Sequence, residues 1–174
     1  MTRGHFLQIA AAIAAFSLSG CVHAAAKVAK GQAATCTDAV ERRNGAQVRL
    51  VFEEVLSKGR IAENEHIYHA AFVAHGLTSD SGRAEDRAAT EAWRRAAPDI
   101  RMEVLRVVSD CETVAVHFEA RGTNTGEGAG LPATGRSVRA QGVTFFKLRD
   151  GLIAEEWTVF DQYTMLRQLG LLGG

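Results

Sequence analysis

The hydrophobic period of this chain changes once, near Pro98, and that change constrains the fold more than any other feature. Before it, apolar residues recur at helical spacing. Val48, Val51, Phe52 and Val55 share one face of a helix expected over 46–58, with Gly59 as its stop. A weaker helical stretch is expected over 62–68. It runs into His69–Gly76, which fits either the end of a helix or a short extended piece. The segment 84–97 reads as a helix with Trp93 on one face, ended by Pro98. After Pro98 the pattern alternates with the two-residue period of strands, over 100–108, 113–123, 137–148 and 152–160. Arg149-Asp150-Gly151 supplies the Asp-Gly hairpin signal between the last two, and a short helix is expected from Gln162. Helices followed by hairpin-linked strands argue for an α+β domain, an antiparallel sheet with helices on one face.

The length of 174 residues suits one domain with appendages, and 47% hydrophobic residues provide for a core. Twenty Lys and Arg balance twenty Asp and Glu, and no basic block is present, so nucleic acid is not an expected partner. Three segments are expected: a signal peptide over 1–20, a tether over 21–45 and the domain over 46–174. In the first, Arg3 precedes an apolar run from Phe6 to Leu18 that is too short to span a bilayer. Leu18-Ser19-Gly20-Cys21 then resembles the bacterial lipobox, which implies cleavage before Cys21 and lipidation of that cysteine. The alternative is ordinary secretory cleavage near Val22-His23-Ala24, leaving a soluble periplasmic protein. The expected location is the bacterial cell envelope, with a lipid anchor as the only membrane contact. In an oxidising compartment Cys36 and Cys111 could pair or remain two independent thiols, and spacing alone does not decide between them.

Alternation along the last strand places Ile153, Glu155, Trp157, Val159 and Asp161 on one face. If that face lines a pocket, Asp161 becomes a candidate general acid or base. If not, Asp161 caps the following helix. His66 and His69, three apart, could share a helical face, but without a wider Cys/His framework no metal is expected. His75, between an apolar stretch and Gly76, is a candidate proton donor or acceptor. Gly126-Glu127-Gly128-Ala129-Gly130 leads to a strand rather than a helix. That excludes a dinucleotide loop and suggests a mobile hairpin loop able to cover one end of the sheet.

From about Val48 to Leu172 the sequence resembles the SnoaL-like polyketide cyclases of the nuclear transport factor 2-like superfamily. The resemblance rests on Phe72-Val73-Ala74-His75-Gly76, on Trp93 through Asp99, and on Gly122-Thr123-Asn124-Thr125-Gly126 with Pro132-Ala133-Thr134-Gly135-Arg136. It extends through Asp150-Gly151-Leu152-Ile153-Ala154-Glu155-Glu156-Trp157, Asp161 and Gln168-Leu169-Gly170. It implies a cone-like curved antiparallel sheet closed by the N-terminal helices around an apolar cavity, and often a homodimer through the sheet. It also implies an intramolecular aldol cyclisation of a small apolar carbonyl compound without cofactor. Carried over, Asp161 is the acid/base and His75 its assistant, while Trp157, Gln141, Phe72, Trp93 and Asn124 contact substrate. Two positions depart from the pattern: Asn124 stands where the family often has histidine, and His117 where arginine is expected. An uncharged amide at 124 cannot act as a general base. The alternatives to an enzyme are a module that binds an apolar ligand without turnover and a protein-interaction module.

Overall fold

The computed structural model describes residues 36–172, so the signal segment, Cys21 and most of the tether lie outside the described residues. The first helix, α1 (Asp38–Leu50), begins eight residues before the apolar pattern does. Thr37 caps it, its hydroxyl accepting the Val40 N–H. Its early turns bury Asn44 and Gly45 rather than large apolar groups, so hydrophobic spacing gives no sign of them. A disulfide between Cys36 and Cys111 fixes the start of α1 to the turn at Cys111-Glu112. The helix continues as a π-helical turn, Val51–Leu56, which buries Val51, Phe52 and Val55. Ser57 ties that end to the sheet: its hydroxyl donates to the Phe52 carbonyl and accepts the Met102 N–H.

A 3-10 turn (Ile61–Glu63) and the short α2 (Asn64–Ile67) lead into β1 (Tyr68–His75), so the segment left open between helix and strand is extended. His66 therefore lies in α2 and His69 in β1, and the two share no helical face. After β2 (Asp80–Ser81) comes α3 (Arg83–Ala96), whose Glu85 carboxylate accepts the Gly82 N–H. The strands β3 (Arg101–Asp110), β4 (Thr113–Thr123), β5 (Ser137–Arg149) and β6 (Leu152–Phe160) follow, then α4 (Gln162–Leu169). The six-stranded sheet runs β2-β1-β6-β5-β4-β3 and is not closed. All its pairings are antiparallel except β1 with β6, which is parallel. A parallel neighbour requires a long crossover, and here the whole α3–β5 stretch supplies it.

β5 alternates cleanly between buried and exposed positions, which defines an inner face toward the helices and an outer face. Registers shift within β1, at Leu105 in β3 and at Ala154 in β6, and such bulges bend the strands that carry them. Phe52, Phe118 and Phe146 form the aromatic centre of the inner core. Gly142 is required there, because a Cβ at that position would lie 2.5 Å from the Phe118 ring.

Candidate functional site

The inner face of the sheet, α3, α4 and the π-helical turn surround a cavity of about 570 Å³. That lies within the ~300–1,000 Å³ of small-molecule sites. The wall is mainly apolar, with Phe52, Trp93, Met102, Phe118, Phe160 and Met165 among its residues. Leu77, fully exposed on the β1–β2 loop, stands at the mouth.

The parity of β6 decides which acidic residues reach this space. Phe146 pairs with Glu156, and Leu148 pairs with Ile153, so three residues of β6 match two of β5 and the bulge at Ala154 shifts the alternation. Ile153 is buried in the core, but beyond the bulge the inner positions are Glu156, Thr158 and Phe160, all on the cavity wall. Glu155 and Trp157, expected on the cavity face from unbroken alternation, lie instead on the outer face. Asp161, just past the strand, is an exposed N-cap. Its carboxylate accepts the Thr164 N–H at 2.9 Å, and that bond holds its pKa below the ordinary aspartate value.

The remaining expected site residues divide the same way. His75 lies outside the cavity wall, stacked on Trp157, with Nε2 3.0 Å from Glu155 and Nδ1 3.2 Å from Asp80. The hydrogen bond to Glu155, followed by the charge of Asp80, raises the imidazole pKa despite some desolvation. Gln141 is an exposed outer residue between His117 and Glu119. Phe72 is buried edge-on to Tyr68 in the core rather than on the cavity wall. Trp93 does line the cavity. Asn124 reaches the wall, yet its amide is fully engaged: Nδ2 donates to the Ala96 and Gly126 carbonyls, and Oδ1 accepts from the Thr134 N–H and hydroxyl. That clasp also ties the start of the glycine loop to the end of α3, since Asn124 Nδ2 bonds both the Gly126 and the Ala96 carbonyls. The loop is docked on the end of α3, where a Cβ at Gly126 would lie 2.1 Å from the Arg95 carbonyl oxygen.

Two carboxyls that the sequence reading passed over face the cavity. Asp86 lies on α3 one turn before Thr90 and two before Trp93, on the same helical face, and Glu156 projects from β6. Among the described residues neither carboxyl has a hydrogen-bond or ion-pair partner. Burial pushes Asp86 up to about 6, and burial together with the Asp86 charge pushes Glu156 up to about 8. The Tyr68 phenol beside them is held well above its usual value, first by burial and then by the charges of Glu156 and Asp86. On the same face, Thr144 and Thr158 hydroxyls bond to each other at 2.8 Å. The outcome is a carboxyl pair with separated proton affinities in an apolar chamber, which suits one group as proton acceptor and the other as donor. The signal available in the sequence was Asp86, a charged residue in helical register with Trp93.

The family model described as SnoaL-like polyketide cyclase matches residues 46–169. This chain belongs to the SnoaL-like polyketide cyclase family. No curated protein sequence matches the chain. Among solved structures it is similar to a protein of Jannaschia sp. CCS1 assigned to the SnoaL-like polyketide cyclases. The TM-score is 0.72 at 20% identity, over 79% of this chain and 99% of that one. It is similar to IdmH of Streptomyces antibioticus, assigned as a polyketide cyclase, with a TM-score of 0.65 at 26% identity over 73% and 98%. It is also similar to AclR of Streptomyces galilaeus, assigned as a hydroxylase, with a TM-score of 0.70 at 21% identity over 77% and 85%. A hydroxylase assignment beside cyclase assignments shows how little the SnoaL-like fold alone dictates the reaction, so the chemistry must be argued from the cavity.

Proposed function

We propose that this SnoaL-like protein is a cofactor-independent cyclase or isomerase acting on a small apolar carbonyl compound, with Asp86 as proton acceptor and Glu156 as proton donor. The observation that carries this reading is the convergence, on an apolar cavity of about 570 Å³, of two carboxyls that have no partner among the described residues. Near neutral pH the pair holds one proton, mainly on Glu156. Asp86 removes a proton from carbon next to a carbonyl. The resulting carbanion attacks a second carbonyl of the same molecule, and Glu156 protonates the oxygen that becomes the hydroxyl. One C–C bond forms, substrate and product are isomers, and the proton gained by Asp86 replaces the one lost by Glu156. An apolar wall favours this chemistry because it keeps both carboxyls poised and excludes water.

The test is turnover of enolisable apolar diketones by the wild type and by Glu156→Gln, Asp86→Asn and Asp161→Asn. Loss of the acid or the base is expected to lower kcat by about 10²–10⁴, while Asp161→Asn, which alters only a helix cap, leaves it within a few-fold. Loss of turnover in Asp161→Asn alone would return the acid/base role to that residue and overturn the assignment. Ligand binding without turnover in any form would favour a carrier.

The proposal extends to the setting. The Cys36–Cys111 disulfide supports export to an oxidising compartment, in keeping with a lipid anchor at Cys21 in the cell envelope. Phe145 and Trp157 pair across the outer sheet face, both exposed, which supports a homodimer through that face.

A further inference from the structure

Behind the cavity wall lies a second cleft of about 420 Å³, bounded by Asn64 and Glu65 of α2, Tyr68 of β1, and Arg83, Asp86 and Arg87 of α3. Tyr68 and Asp86 line both spaces, so those two side chains are the partition between them. Asn64 is 6% exposed, and its Oδ1 has no hydrogen-bond partner among the described residues. A buried acceptor left alone costs roughly 1–3 kcal/mol, and a roomy polar cleft is where water satisfies such groups. The charged and titratable groups around Asp86 are Tyr68 from β1 and Glu156 from β6, while Arg83 and Arg87 of its own helix line the same cleft, Arg83 engaged by Glu65 of α2 and Arg87 by Glu91. Water here can donate to Asn64 Oδ1 and to the Asp86 carboxylate while accepting from the arginines.

We propose that this outer cleft is a proton passage, in which ordered water anchored on Asn64 connects Asp86 to solvent from behind. It rests on the reading of Asp86 and Glu156 as the acid–base pair and explains how that pair is reset. After each cyclisation Asp86 holds a proton that Glu156 needs, while an apolar product still fills the cavity. The passage releases the proton from Asp86 through the cleft, and Glu156 recovers one from solvent once the product leaves. Asn64 is thus a positioning residue: it holds water, and the water carries the proton.

The experiment uses the full chain with two substitutions that fill the cleft. Asn64→Leu removes the anchor, and Ala70→Leu, at an exposed cleft position, leaves α2 intact if the first variant folds poorly. Hydrogen–deuterium exchange of the Tyr68 hydroxyl, followed at its ζ-carbon by NMR, is expected to slow several-fold in either variant. The Asp86 titration midpoint is expected to rise by about one pH unit as its water is lost, while that of Glu156 does not rise. Unchanged exchange and an unchanged Asp86 midpoint in both variants would overturn the passage. An Asp86 that titrates near 4 in the wild type, with exchange still slowed by Asn64→Leu, would overturn the acid–base reading and leave the passage standing.

Discussion

The imidazole of His75 lies flat on the indole of Trp157, with centroids 4.5 Å apart and planes within 14°, on the side of the sheet away from the cavity. Glu155 and Asp80 take one ring nitrogen each, an arrangement that suits the imidazolium. Lys147, on β5, holds the other oxygen of Glu155 at 3.2 Å. His75 is therefore expected to titrate above 6.5, and Glu155→Gln to move it back more than Asp80→Asn, because the Glu155 hydrogen bond is the larger cause. A folded pKa above the unfolded value gives stability that is full below about pH 6.5 and lost as pH rises through the raised midpoint. The melting-temperature deficit of His75→Gln should accordingly be larger at mildly acidic pH than at alkaline pH. NMR titration of the ring and thermal melts at several pH values check both statements. Turnover that survives His75→Gln would confine this cluster to the sheet edge.

Asn124 stands at a position where the resemblance suggested a substrate contact, but its four hydrogen bonds go to the chain itself. Asn124→Ala leaves the Ala96 and Gly126 carbonyls and the Thr134 N–H to find new partners. It is expected to cost about 2 kcal/mol in urea unfolding, with ligand affinity little changed at temperatures where the variant is folded. A variant of wild-type stability with weakened ligand binding would make Asn124 a contact after all.

The strands, α3 and the order of elements were legible because two-residue and 3.6-residue periods are local properties. The site was legible only in part, for a reason that one residue illustrates. Alternation is reliable until a strand is interrupted, and the bulge at Ala154 puts Glu156 inside and Glu155 and Trp157 outside. Nothing in Ala154 itself announces a bulge, since it arises from pairing with β5. Asp86 was missed for a different reason, because an aspartate in the first turns of a helix ordinarily complements the helix dipole in water. Its place on a cavity wall follows from the docking of α3 on β1, a tertiary fact. The early start of α1 was hidden because Asn44 and Gly45, not hydrophobic side chains, make its contacts.

Breaking the Cys36–Cys111 link should test how firmly α1 is held. The two cysteines are 75 residues apart in sequence. Closing so long a loop restricts the unfolded chain, which corresponds to roughly 2–4 kcal/mol of stability. Cys36→Ser is expected to lower the unfolding free energy by about that amount without displacing the cavity, because the helix is also docked through Val48 and the π-helical turn. Urea unfolding with and without reductant gives the number. A wild type insensitive to reductant would show that the link contributes nothing.

Glu156 makes the sharpest prediction, since its pKa, near 8, lies above that of an exposed glutamate and Asp86 shares the direction of shift. Between pH 4.5 and 8 the folded state binds more protons than the unfolded state, so stability falls as pH rises across that interval. Glu156→Gln keeps the shape and removes the ionisation. The variant should match the wild type near pH 5 and exceed it by roughly 1–3 kcal/mol near pH 9. Asp86→Asn should show the same sign over a window displaced toward lower pH. Turnover should instead pass through a maximum: it needs the state of the pair that holds one proton, giving a bell-shaped kcat/KM profile with limbs near 6 and 8. Chemical denaturation across pH for both variants, beside the wild-type rate profile, joins the two predictions. If Glu156→Gln proved no more stable at alkaline pH, Glu156 would be an ordinary solvated carboxylate and the proposed proton donor would be lost with it.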